Sequence, residues 1–530
     1  MTPKNLVLLL DGRRKTNRFT RNYLIVGSAE KWRKIREVYK KLGSEFEIMQ
    51  TQRTLDEFKN EPFTDFTVAE NKEAMEDAIA EVTGELGKKY PIIINGEKIE
   101  LETHFQSINP SEKTQIIGEF SDADRDADAL VDRAIESATV AFQSWRNVSP
   151  EERAEYLFKA SDIIRDRKHY FSAWMVLEVG KTWAEADGDT AEAIDFLEFY
   201  GREMIRWGGE QPITPSPYAE ENKFEYIPLG VGAIIPPWNF PLAIMAGMTM
   251  AAVVAGNTAV LKPSPDAPAI AYKFMEVLEE VGLPAGVVNF VPGSGIAVGE
   301  LMVAHPKTRF ISFTGSKVVG LKIYEEAAKT REGQNWMKRV VAEMGGKDAI
   351  VVADDANLDE AAAGAVAAAF GFQGQKCSAC SRLIVDGKVH DQLMEKVVEL
   401  TGKLTMGSPN EADTSLAAVI NQNSFDKATG YIQQGISEGG EVVAGGKASD
   451  EDGFYIEPTI IDNVKPKTTI EQEEIFAPVL AVIKADDYDH ALEIANDTQY
   501  GLTGAVYSES DERLEQARRD FHVGNLYLNR

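Results

Sequence analysis

Cysteine is almost absent from this chain, and its scarcity limits the chemistry open to the protein. Only Cys377 and Cys380 occur in 530 residues. Two cysteines so close in sequence cannot form a disulfide framework. The six histidines show no metal-ligand spacing, so a zinc site would lack its remaining ligands. We therefore expect no metal, and we expect a reducing compartment, the cytoplasm.

Positive charge and long apolar runs are also scarce. Lys and Arg number 56 against 84 Asp and Glu, which gives a net charge of -28. A nucleic-acid partner is excluded, because phosphate contacts need a basic surface. The one uncharged stretch of bilayer length, 242–261, is rich in Ala, Gly and Thr and contains Asn257. Such a composition predicts a buried helix followed by a strand, with no membrane association.

The first 60 residues differ from the rest in charge. They contain 14 Lys and Arg against 7 Asp and Glu, so the segment carries +7 and the remainder -35. This shift marks a boundary near Asn60 and predicts a small basic appendage, whose role the sequence does not reveal. A chain of 530 residues is otherwise expected to contain two or three domains.

Beyond that boundary, short apolar runs alternate with helical stretches. The strand-like runs are 232–235, 259–262, 287–291, 309–314 and 348–352. Such alternation predicts an α/β fold with a parallel sheet covered on both faces. One long helix is predicted over 150–179, and the Pro- and Gly-rich stretch 207–228 is expected to leave the domain as an excursion.

Cys377 is the candidate nucleophile. It lies in the run Gly374-Gln375-Lys376-Cys377-Ser378-Ala379-Cys380, after a helix of small residues. Attack requires a thiolate, which a nearby cation or backbone N–H groups would stabilise. The Cys-x-x-Cys spacing also fits a redox pair, although such a pair usually opens a helix in a smaller domain. On these residues alone, a catalytic and a structural cysteine both stay open.

Two loops supply polar candidates. Glu343 lies beside paired glycines just before the run 348–352, where a carboxylate could activate water, or could simply lie at the surface. Asn239 follows the run 232–235, at the strand end where ligands bind in open α/β sheets. Its amide would suit an oxyanion, or an ordinary turn.

Two glycine-containing loops are candidates for phosphate binding. The run Phe313-Thr314-Gly315-Ser316 lies between a strand and a helix, so it could cradle a phosphate or merely cap the helix. The run Gly293-Ser294-Gly295 with Gly299 departs by one residue from the dinucleotide fingerprint. Neither loop identifies a cofactor alone.

Taken together and in this order, the motifs resemble the aldehyde dehydrogenase superfamily from about Glu61 to Arg530. In that family the glutamate of Glu-x-Gly-Gly-Lys precedes the nucleophilic cysteine by 34 residues, as Glu343 precedes Cys377 here. The Glu-Glu-Ile-Phe-x-Pro motif places Glu474 97 residues after Cys377, also where the family has it. The combination is far more specific than any single motif.

The resemblance implies a fold and an assembly. It implies an aldehyde-dehydrogenase-like α/β fold, with a Rossmann-type dinucleotide-binding domain over 61–344 and an α/β catalytic domain over 345–530. A β oligomerisation excursion is implied near 207–228, and with it a homo-oligomer. Because binding would occur between the two domains, Cys377 is expected at their crevice.

The resemblance also implies a role for each motif residue. Cys377 would attack the aldehyde carbonyl, Asn239 and the Cys377 N–H would steady the oxyanion, and a hydride would pass to the nicotinamide. Glu343 would then activate the water that hydrolyses the thioester. The implied cofactor-binding residues are Trp238, Lys262, Ser264, Gly315, Ser316, Glu474 and Phe476. Phe240 and Ser378 are implied in substrate binding.

NAD is the implied cofactor, with NADP not excluded. Many NAD-preferring members carry an acidic residue three positions after the lysine that corresponds to Lys262. Here that position is Pro265, and Asp266 comes next. NAD is thus favoured on the family pattern, but the ribose-reading acid is displaced by one residue.

Four further stretches resemble the branch of the family that oxidises glutamate γ-semialdehyde, formed from 1-pyrroline-5-carboxylate, to glutamate in proline breakdown. They are 63–66, 180–187, 193–196 and 372–382. A different semialdehyde and a non-catalytic relative are the alternatives. The branch continues beyond the position of Arg530 into a loop that grips the substrate carboxylate and a tail strand for subunit pairing. Weaker substrate binding or imperfect assembly is therefore expected.

Overall fold

Nineteen strands occur in the part of the chain that the computed structural model describes, namely residues 55–215, 218 and 221–530. They are β1 (Lys88–Tyr90), β2 (Ile92–Ile94), β3 (Glu97–Ile99), β4 (His104–Asn109), β5 (Glu112–Ser121), β6 (Val231–Ile235), β7 (Thr258–Leu261), β8 (Val288–Phe290), β9 (Thr308–Thr314), β10 (Arg339–Glu343), β11 (Asp348–Val352), β12 (Cys380–Asp386), β13 (Glu441–Ala444), β14 (Ala448–Ser449), β15 (Tyr455–Ile456), β16 (Thr459–Asp462), β17 (Val479–Ala485), β18 (Thr503–Tyr507) and β19 (Asn525–Leu528).

Helices separate most of these strands. They are α1 (Ala69–Thr83), α2 (Ala127–Trp145), α3 (Pro150–Asp166), α4 (Lys168–Val179), α5 (Trp183–Gly208), α6 (Ala243–Val254), α7 (Pro268–Glu280), α8 (Glu300–Ala304), α9 (Lys317–Ala327), α10 (Leu358–Phe370), α11 (His390–Thr401), α12 (Gln422–Ser437), α13 (Thr469–Gln472), α14 (Tyr488–Asn496) and α15 (Asp511–Asp520). Shorter helical turns cover Ala123–Asp126, Gly295–Gly299 and Gly371–Gly374.

Two seven-stranded sheets organise these elements. The first has the order β10-β9-β6-β7-β8-β2-β3 and the second the order β13-β16-β17-β12-β11-β18-β19. In the first sheet, the neighbouring strands β10, β9, β6, β7 and β8 are all parallel. In the second sheet, the neighbouring strands β16, β17, β12, β11, β18 and β19 are all parallel. The α/β fold class predicted from the sequence is therefore confirmed.

One predicted run belongs to a different sheet from the one expected. The first four runs form β6 to β9, but 348–352 forms β11 in the middle of the second sheet. Strand β10, whose residues are exposed or half-buried, forms the edge of the first sheet. All five residues of β11 are buried, so this strand needs neighbours on both sides and both faces. The five predicted runs are therefore divided between two sheets.

The helix predicted over 150–179 is two helices. They separate at Arg167, whose φ of -116° and ψ of 32° leave the helical region. Helix α3 is buried along one side, whereas α4 is buried at every position from Phe171 to Val179. Since a single straight helix cannot lie at the surface and then run through the interior, the chain changes direction at the exposed Arg167.

The apolar stretch 242–261 has the structure expected of it, the buried helix α6 followed by β7. Among the described residues, no helix has the length and apolarity needed to cross a membrane.

The excursion near 207–228 differs from the prediction. Trp207 and Gly208 complete α5, and the described residues from 209 to 228 contain no strand. A strand needs a hydrogen-bonding neighbour, and these residues have none within the described chain. The residues of the predicted basic segment up to position 54 lie outside the described part, and the domain boundaries at 60 and 344 stay predictions.

The candidate residues begin at one edge of the first sheet. Ile235 of β6 pairs with Phe313 of β9, and Thr314 of β9 pairs with Glu343 of β10. Because these strands are parallel and in register, the loops that follow them start side by side. The fold thereby brings three loops that are far apart in sequence to one place.

We predict that His390 makes stability depend on pH. This buried histidine lies 3.0 Å from Asp462 through Nε2 and 2.8 Å from Asp391 through Nδ1. The hydrogen bond to Asp462, more than any other contact, raises the pKa of His390 above its usual value of 6.5. The protonated form is thus favoured in the folded state, so its contribution is complete below the unfolded pKa and is lost as pH rises through the folded pKa.

Urea unfolding of wild type and His390→Gln across this range tests the effect. The difference in free energy of unfolding should be largest at mildly acidic pH and should shrink towards alkaline pH. The exposed His522→Gln is the control for loss of a histidine. A difference that stays constant with pH would contradict the assignment.

Candidate active site

Cys377 follows a turn that holds three consecutive residues in the left-handed region. Phe372, Gln373 and Gly374 have φ values of 47°, 55° and 65°. Only the last is a glycine, and a Cβ there would come within 2.5 Å of the Ala477 carbonyl oxygen. Non-glycine residues in this region each cost on the order of 1 kcal/mol or more, so the surrounding contacts must hold the turn in place.

Two glutamine side chains provide those contacts. Gln373 Nε2 donates to the carbonyl oxygens of Gly180, at 3.0 Å, and Ala418, at 2.9 Å. Gln375 Oε1 accepts from the Ile420 N–H at 2.9 Å. Both glutamines are fully buried, so these hydrogen bonds fix the backbone that leads to Cys377.

The paired glycines after Glu343 allow other groups to approach. A Cβ on Gly345 would lie 2.1 Å from a carboxylate oxygen of Glu474, and one on Gly346 would lie 2.1 Å from the Cys377 carbonyl oxygen. The Gly346 N–H donates to Glu474 Oε1 at 3.1 Å. The glycines therefore connect Glu343, Cys377 and Glu474, three residues from separate motifs.

Asn239 lies on the loop after β6 and faces the same turn. Its Nδ2 donates to the Gln375 carbonyl oxygen at 3.1 Å, and the residue is buried. One amide hydrogen is thus used to hold the loop close to Cys377, and the second is left for another acceptor. This arrangement places Asn239 two residues from Cys377 along the turn, and its role towards an oxyanion stays a prediction.

The electrostatic surroundings of Cys377 differ from the expectation of a nearby cation. Burial, as the largest cause, and the carboxylates of Asp348, Glu474 and Glu343 together raise the pKa of the thiol to about 11. The Cys377 backbone N–H opposes them. In the described structure the nucleophile is therefore a half-buried thiol among acids, and stabilisation of a thiolate must come from backbone groups.

Glu343 is the last residue of β10 and is exposed. Its backbone carbonyl accepts from the Gly315 N–H at 3.0 Å, so its position is fixed by the main chain while the side chain stays in solvent. The side chain is close enough to influence the Cys377 thiol electrostatically. A carboxylate in this position can reach a water molecule beside the thiol.

Four aromatic rings line the approach to Cys377. The rings of Trp238 and Phe476 meet edge to face at 5.5 Å, and Phe372 lies 6.4 Å from both Trp238 and Phe240. Phe476 has a φ of 61°, which points its ring towards Trp238 rather than along a strand. Ser378, in contrast, is exposed next to the nucleophile.

Behind Phe240 and Phe372 lies a buried ion pair that the sequence analysis missed. Lys181 Nζ lies 3.9 Å from the Phe240 ring centroid and 4.4 Å from that of Phe372. It lies 3.1 Å from Asp189, and both side chains are fully buried. Such a cation stabilises the two rings by its attraction to their faces.

Three of the four branch-like stretches contact one another, and the fourth, 193–196, is bonded to Glu61, just before the first. The Thr64 N–H and Oγ1 donate to Asp187 at 2.8 and 2.5 Å, and the Glu61 N–H donates to Asp195 at 2.7 Å. Lys376 forms a 2.7 Å ion pair with Glu185. Residues that lie far apart in the sequence are therefore joined by direct contacts, which include the stretch 372–382 that contains Cys377.

The loop after β9 combines a helix cap with free N–H groups. Ser316 Oγ accepts from the Val319 N–H at 3.4 Å and caps α9. The N–H groups of Lys317 and Val318, in the first turn of the helix, have no acceptor within it. The loop can therefore cap the helix and also bind a phosphate, since the cap leaves the first N–H groups of the helix free as donors.

The second glycine loop is not available in the same way. The Ser294 N–H donates to Asp124 at 2.8 Å, and Ser294 caps the turn Gly295–Gly299. Close beneath it lies Lys262, buried, with Nζ donating to the carbonyl oxygens of Pro263 at 2.8 Å and Gly293 at 3.2 Å. Burial lowers the pKa of Lys262 to about 8.

Ser264 and Asp266 lie on the loop after Lys262. Ser264 Oγ accepts from the Asp266 N–H at 3.4 Å, and Asp266 accepts from Asn421 Nδ2 at 2.9 Å. Pro265, between them, is exposed. Asn421 follows Ile420, whose N–H donates to Gln375, so this loop is linked through the 420–421 segment to the turn that precedes Cys377.

The sequence of this chain matches the profile of the aldehyde dehydrogenase family over residues 97–530. The chain belongs to the aldehyde dehydrogenase family. Curated members with similar sequences include 1-pyrroline-5-carboxylate dehydrogenases of Geobacillus thermodenitrificans, at 56% identity, and Geobacillus kaustophilus, at 55%. Each alignment spans 473 residues, which is 89% of this chain and 91% of the relative.

Solved structures of the family agree with the fold. A 1-pyrroline-5-carboxylate dehydrogenase from Thermus with bound NAD is 46% identical, with a TM-score of 0.87 over 90% of this chain and 92% of that one. The lactaldehyde dehydrogenase of Escherichia coli is more distant, at 30% identity and a TM-score of 0.79 over 84% and 92%. The higher similarity to the first agrees with the branch indicated by the four stretches.

We predict that Gly346→Ala disrupts this family site. Its Cβ would lie 2.1 Å from a backbone oxygen and 2.3 Å from Asp348 Oδ2, and the backbone cannot yield cheaply. The expected cost is at least about 2 kcal/mol in the free energy of unfolding, with loss of thiol reactivity at Cys377. Chemical unfolding and alkylation by iodoacetamide measure the two effects.

Gly430→Ala is the matched control, because nothing lies within 4 Å of a Cβ in the middle of α12. It should gain about 1 kcal/mol from helix propensity and leave the thiol unchanged. Equal behaviour of the two variants would refute the packing role of Gly346.

Proposed function

We propose that this chain is an NAD-dependent aldehyde dehydrogenase that oxidises L-glutamate γ-semialdehyde to L-glutamate. The observation that carries the proposal is the contact of the branch-like stretch 372–382, which contains Cys377, with the branch-like stretch 180–187, through Lys376 with Glu185 and Gln373 with Gly180. The names of the relatives, which are 54% to 56% identical, support the same substrate. Another semialdehyde is the second candidate, because the same chemistry would act on it.

Cys377 is proposed as the nucleophile. Its sulfur forms a bond to the aldehyde carbon as the carbonyl oxygen takes up the electron pair and the thiol proton leaves. Asn239 Nδ2 and the Cys377 N–H are the donors for that oxygen. The hydrogen bond from Asn239 to the Gln375 carbonyl keeps this amide at the right end of the loop.

The residues present fit a dinucleotide. The first turn of α9 offers the N–H groups of Lys317 and Val318 as donors, and Ile296 and Val318 are apolar side chains that are 79% and 77% exposed close to these loops. Such exposed apolar residues beside a phosphate cradle suit an adenine ring. Lys262 and Ser264 would hold the adenosine ribose, with Gly315 and Ser316 at the pyrophosphate.

At the other end, Glu474 would bond the nicotinamide ribose, and Trp238 and Phe476 would pack beside that half of the cofactor. The Gly346 N–H already orients the Glu474 carboxylate. When bound, oxidised nicotinamide supplies the acceptor for the hydride of the aldehyde carbon. Pro265 stands where many NAD-preferring members carry an acid, so the charge that would repel the 2′-phosphate of NADP is displaced to Asp266, and NADP is kept as the alternative cofactor.

Glu343 is proposed to act on the thioester. Its exposed carboxylate takes a proton from water, and the resulting hydroxide displaces the Cys377 sulfur to release the acid. Phe240 and Ser378 are proposed to contact the substrate, Phe240 through its ring and Ser378 through its hydroxyl.

We further propose a homo-oligomer and a cytoplasmic location. Between α5 and β6, the exposed apolar side chains Ile213, Phe224, Tyr226 and Ile227 have no partner strand in the described chain and suit a contact with a second copy. Both cysteines are free thiols, which agrees with a reducing compartment.

The test of this function is NADH formation by the purified chain with NAD and glutamate γ-semialdehyde, beside succinic semialdehyde and aliphatic aldehydes. We expect the highest kcat/KM with glutamate γ-semialdehyde and its abolition in Cys377→Ala. Cys380→Ala is the matched control. Cys380 is buried and its Sγ donates a hydrogen bond to the Arg382 carbonyl oxygen, so the substitution should have little effect on turnover.

Preference for another semialdehyde would keep the chemistry and replace the substrate. Equal turnover by wild type and Cys377→Ala would refute the nucleophile, and a folded chain that binds NAD but oxidises no aldehyde would favour a non-catalytic relative.

Glu343→Gln should separate acylation from hydrolysis. Because the base is needed only for water, this variant should give one NADH per site and then turn over at least about 100-fold more slowly. Rapid-mixing absorbance and the mass of the acylated protein measure the two steps. Glu325→Gln, on the exposed face of α9, is the control, and an unchanged steady state in Glu343→Gln would remove the assignment.

A further inference from the structure

Asp348 is a buried acid next to the nucleophile that has no part in the proposed mechanism. It is the first residue of β11 and is 5% exposed. Its Oδ1 accepts from the Thr503 N–H at 2.7 Å. Its Oδ2 is also buried and has no hydrogen-bond partner among the described residues. A carboxylate with one unsatisfied buried oxygen is costly, so its place needs a reason.

The unsatisfied oxygen lies beside Gly346, which also packs against the backbone of Cys377. An ideal Cβ on Gly346 would lie 2.3 Å from Asp348 Oδ2 and 2.1 Å from the Cys377 carbonyl oxygen. The two oxygens are therefore at most about 4.4 Å apart, separated only by the glycine backbone. Among the charged groups around the Cys377 thiol, Asp348 has the largest effect, ahead of Glu474 and Glu343.

Besides Thr503, two charged side chains face Asp348, namely Arg382 and Glu474. Arg382 of β12 favours its charged form, whereas Glu474 disfavours it. Arg382 is, however, already engaged with Glu471 at 2.8 Å and with the backbone oxygens of Ile494 and Ala495. Burial outweighs these contacts and raises the pKa of Asp348 to about 7.

We propose that Asp348 is a positioning residue that restrains ionisation of the Cys377 thiol. It acts across Gly346, and it keeps the thiol protonated while the site is empty. Two negative charges within this poorly solvated space repel each other, so the carboxylate and the thiolate are not readily formed together. The inference deepens the proposed function, because it rests on Cys377 being the nucleophile of that reaction.

The role explains why an acid is tolerated in a site that needs a thiolate. A thiol held protonated resists alkylation and oxidation, which both proceed through the thiolate. The carboxyl group itself touches neither the aldehyde nor the attacking sulfur in this proposal. Its effect is on the fraction of sulfur that is ionised.

The experiment is the rate of alkylation of Cys377 by iodoacetamide, measured from neutral to alkaline pH on the whole chain without NAD or aldehyde. Peptide mass mapping assigns the modified residue, since Cys380 is buried and its pKa is raised to about 12. This readout needs no turnover. A wrong substrate or an inactive chain would therefore leave the test intact.

Asp348→Asn should lower the pH midpoint of alkylation by about one unit, the usual effect of removing a nearby like charge. One unit means about 10-fold more thiolate at neutral pH, and the lower intrinsic reactivity of a less basic thiolate reduces this to about a 3-fold faster alkylation. The amide still offers an oxygen to the Thr503 N–H, so the fold is expected to persist.

Asp386→Asn is the matched control. Asp386 is also buried and has an Oδ2 without a hydrogen-bond partner among the described residues. It is the last residue of β12, whereas Asp348 pairs with the first residue of that strand. It should leave the midpoint where it is in the wild type. Asp348→Ser, whose hydroxyl can also accept from Thr503, is a second variant should the amide not fold.

Two results would overturn the proposal. One is an unchanged midpoint in a folded Asp348 variant, which would make Asp348 merely structural. The other needs no variant: a wild-type midpoint at or below the ordinary cysteine value of about 8.5 would show that the thiol is not restrained.

Discussion

The close packing of three backbone segments across Gly345 and Gly346 is the constraint on which the site depends. One glycine lets the Glu474 carboxylate approach the main chain and the other lets the Cys377 carbonyl do so, both at distances that leave no room for a Cβ. The same peptide links the edge strand of the first sheet to a central strand of the second. The proposed nucleophile Cys377, the proposed base Glu343 and the Glu474 carboxylate are therefore located relative to one another by backbone, and not by flexible side chains.

The strand ends supply the other half of the geometry. Strands β6, β7, β9 and β10 are adjacent and parallel, so Asn239, Lys262, Gly315 and Glu343 follow strands that end along one edge. Parallel strands alone could not orient the side chains that project from such loops. The left-handed turn at 372–374 and the hydrogen bond from Asn239 to the Gln375 carbonyl add that orientation.

Much of this could be predicted from the sequence, because short apolar runs and motif order are local signals. Runs such as 232–235 and 309–314 became strands within a residue or two, and the order of the motifs indicated Cys377, Glu343 and Asn239. The sheet to which β11 belongs could not be predicted, since strand neighbours are set by tertiary packing. The break at Arg167 was missed for a similar reason, because helical periodicity continues across it.

The residues missed at the site share a physical cause. Asp348, Lys181 and Asp189 are charged residues in stretches that otherwise look like helix or strand starts, and only burial makes them unusual. A sequence gives no measure of burial for a charged residue, and charged residues are normally exposed. Lys181 lies in the stretch 180–187, which resembles the branch of the family, but the sequence indicated no role for it.

The buried charges also show why no cation lies beside the thiol. Lys181 is paired with Asp189 behind two aromatic rings, and Arg382 is paired with Glu471, so both cations are already neutralised. Burial lowers the pKa of Lys347 to about 7, and its ammonium has no hydrogen-bond partner in the described structure, so near neutral pH it is charged only in part. The cations Lys181 and Arg382 are thus engaged in buried ion pairs that stabilise the packing around the site. In the proposed mechanism, negative charge at the reacting atoms is then stabilised by N–H dipoles, from Asn239 and the Cys377 backbone. Unlike a full positive charge, fixed N–H dipoles stabilise an oxyanion as it forms without strongly favouring the thiolate beforehand. This suits the proposed nucleophile, which is protonated at rest and ionised during the reaction.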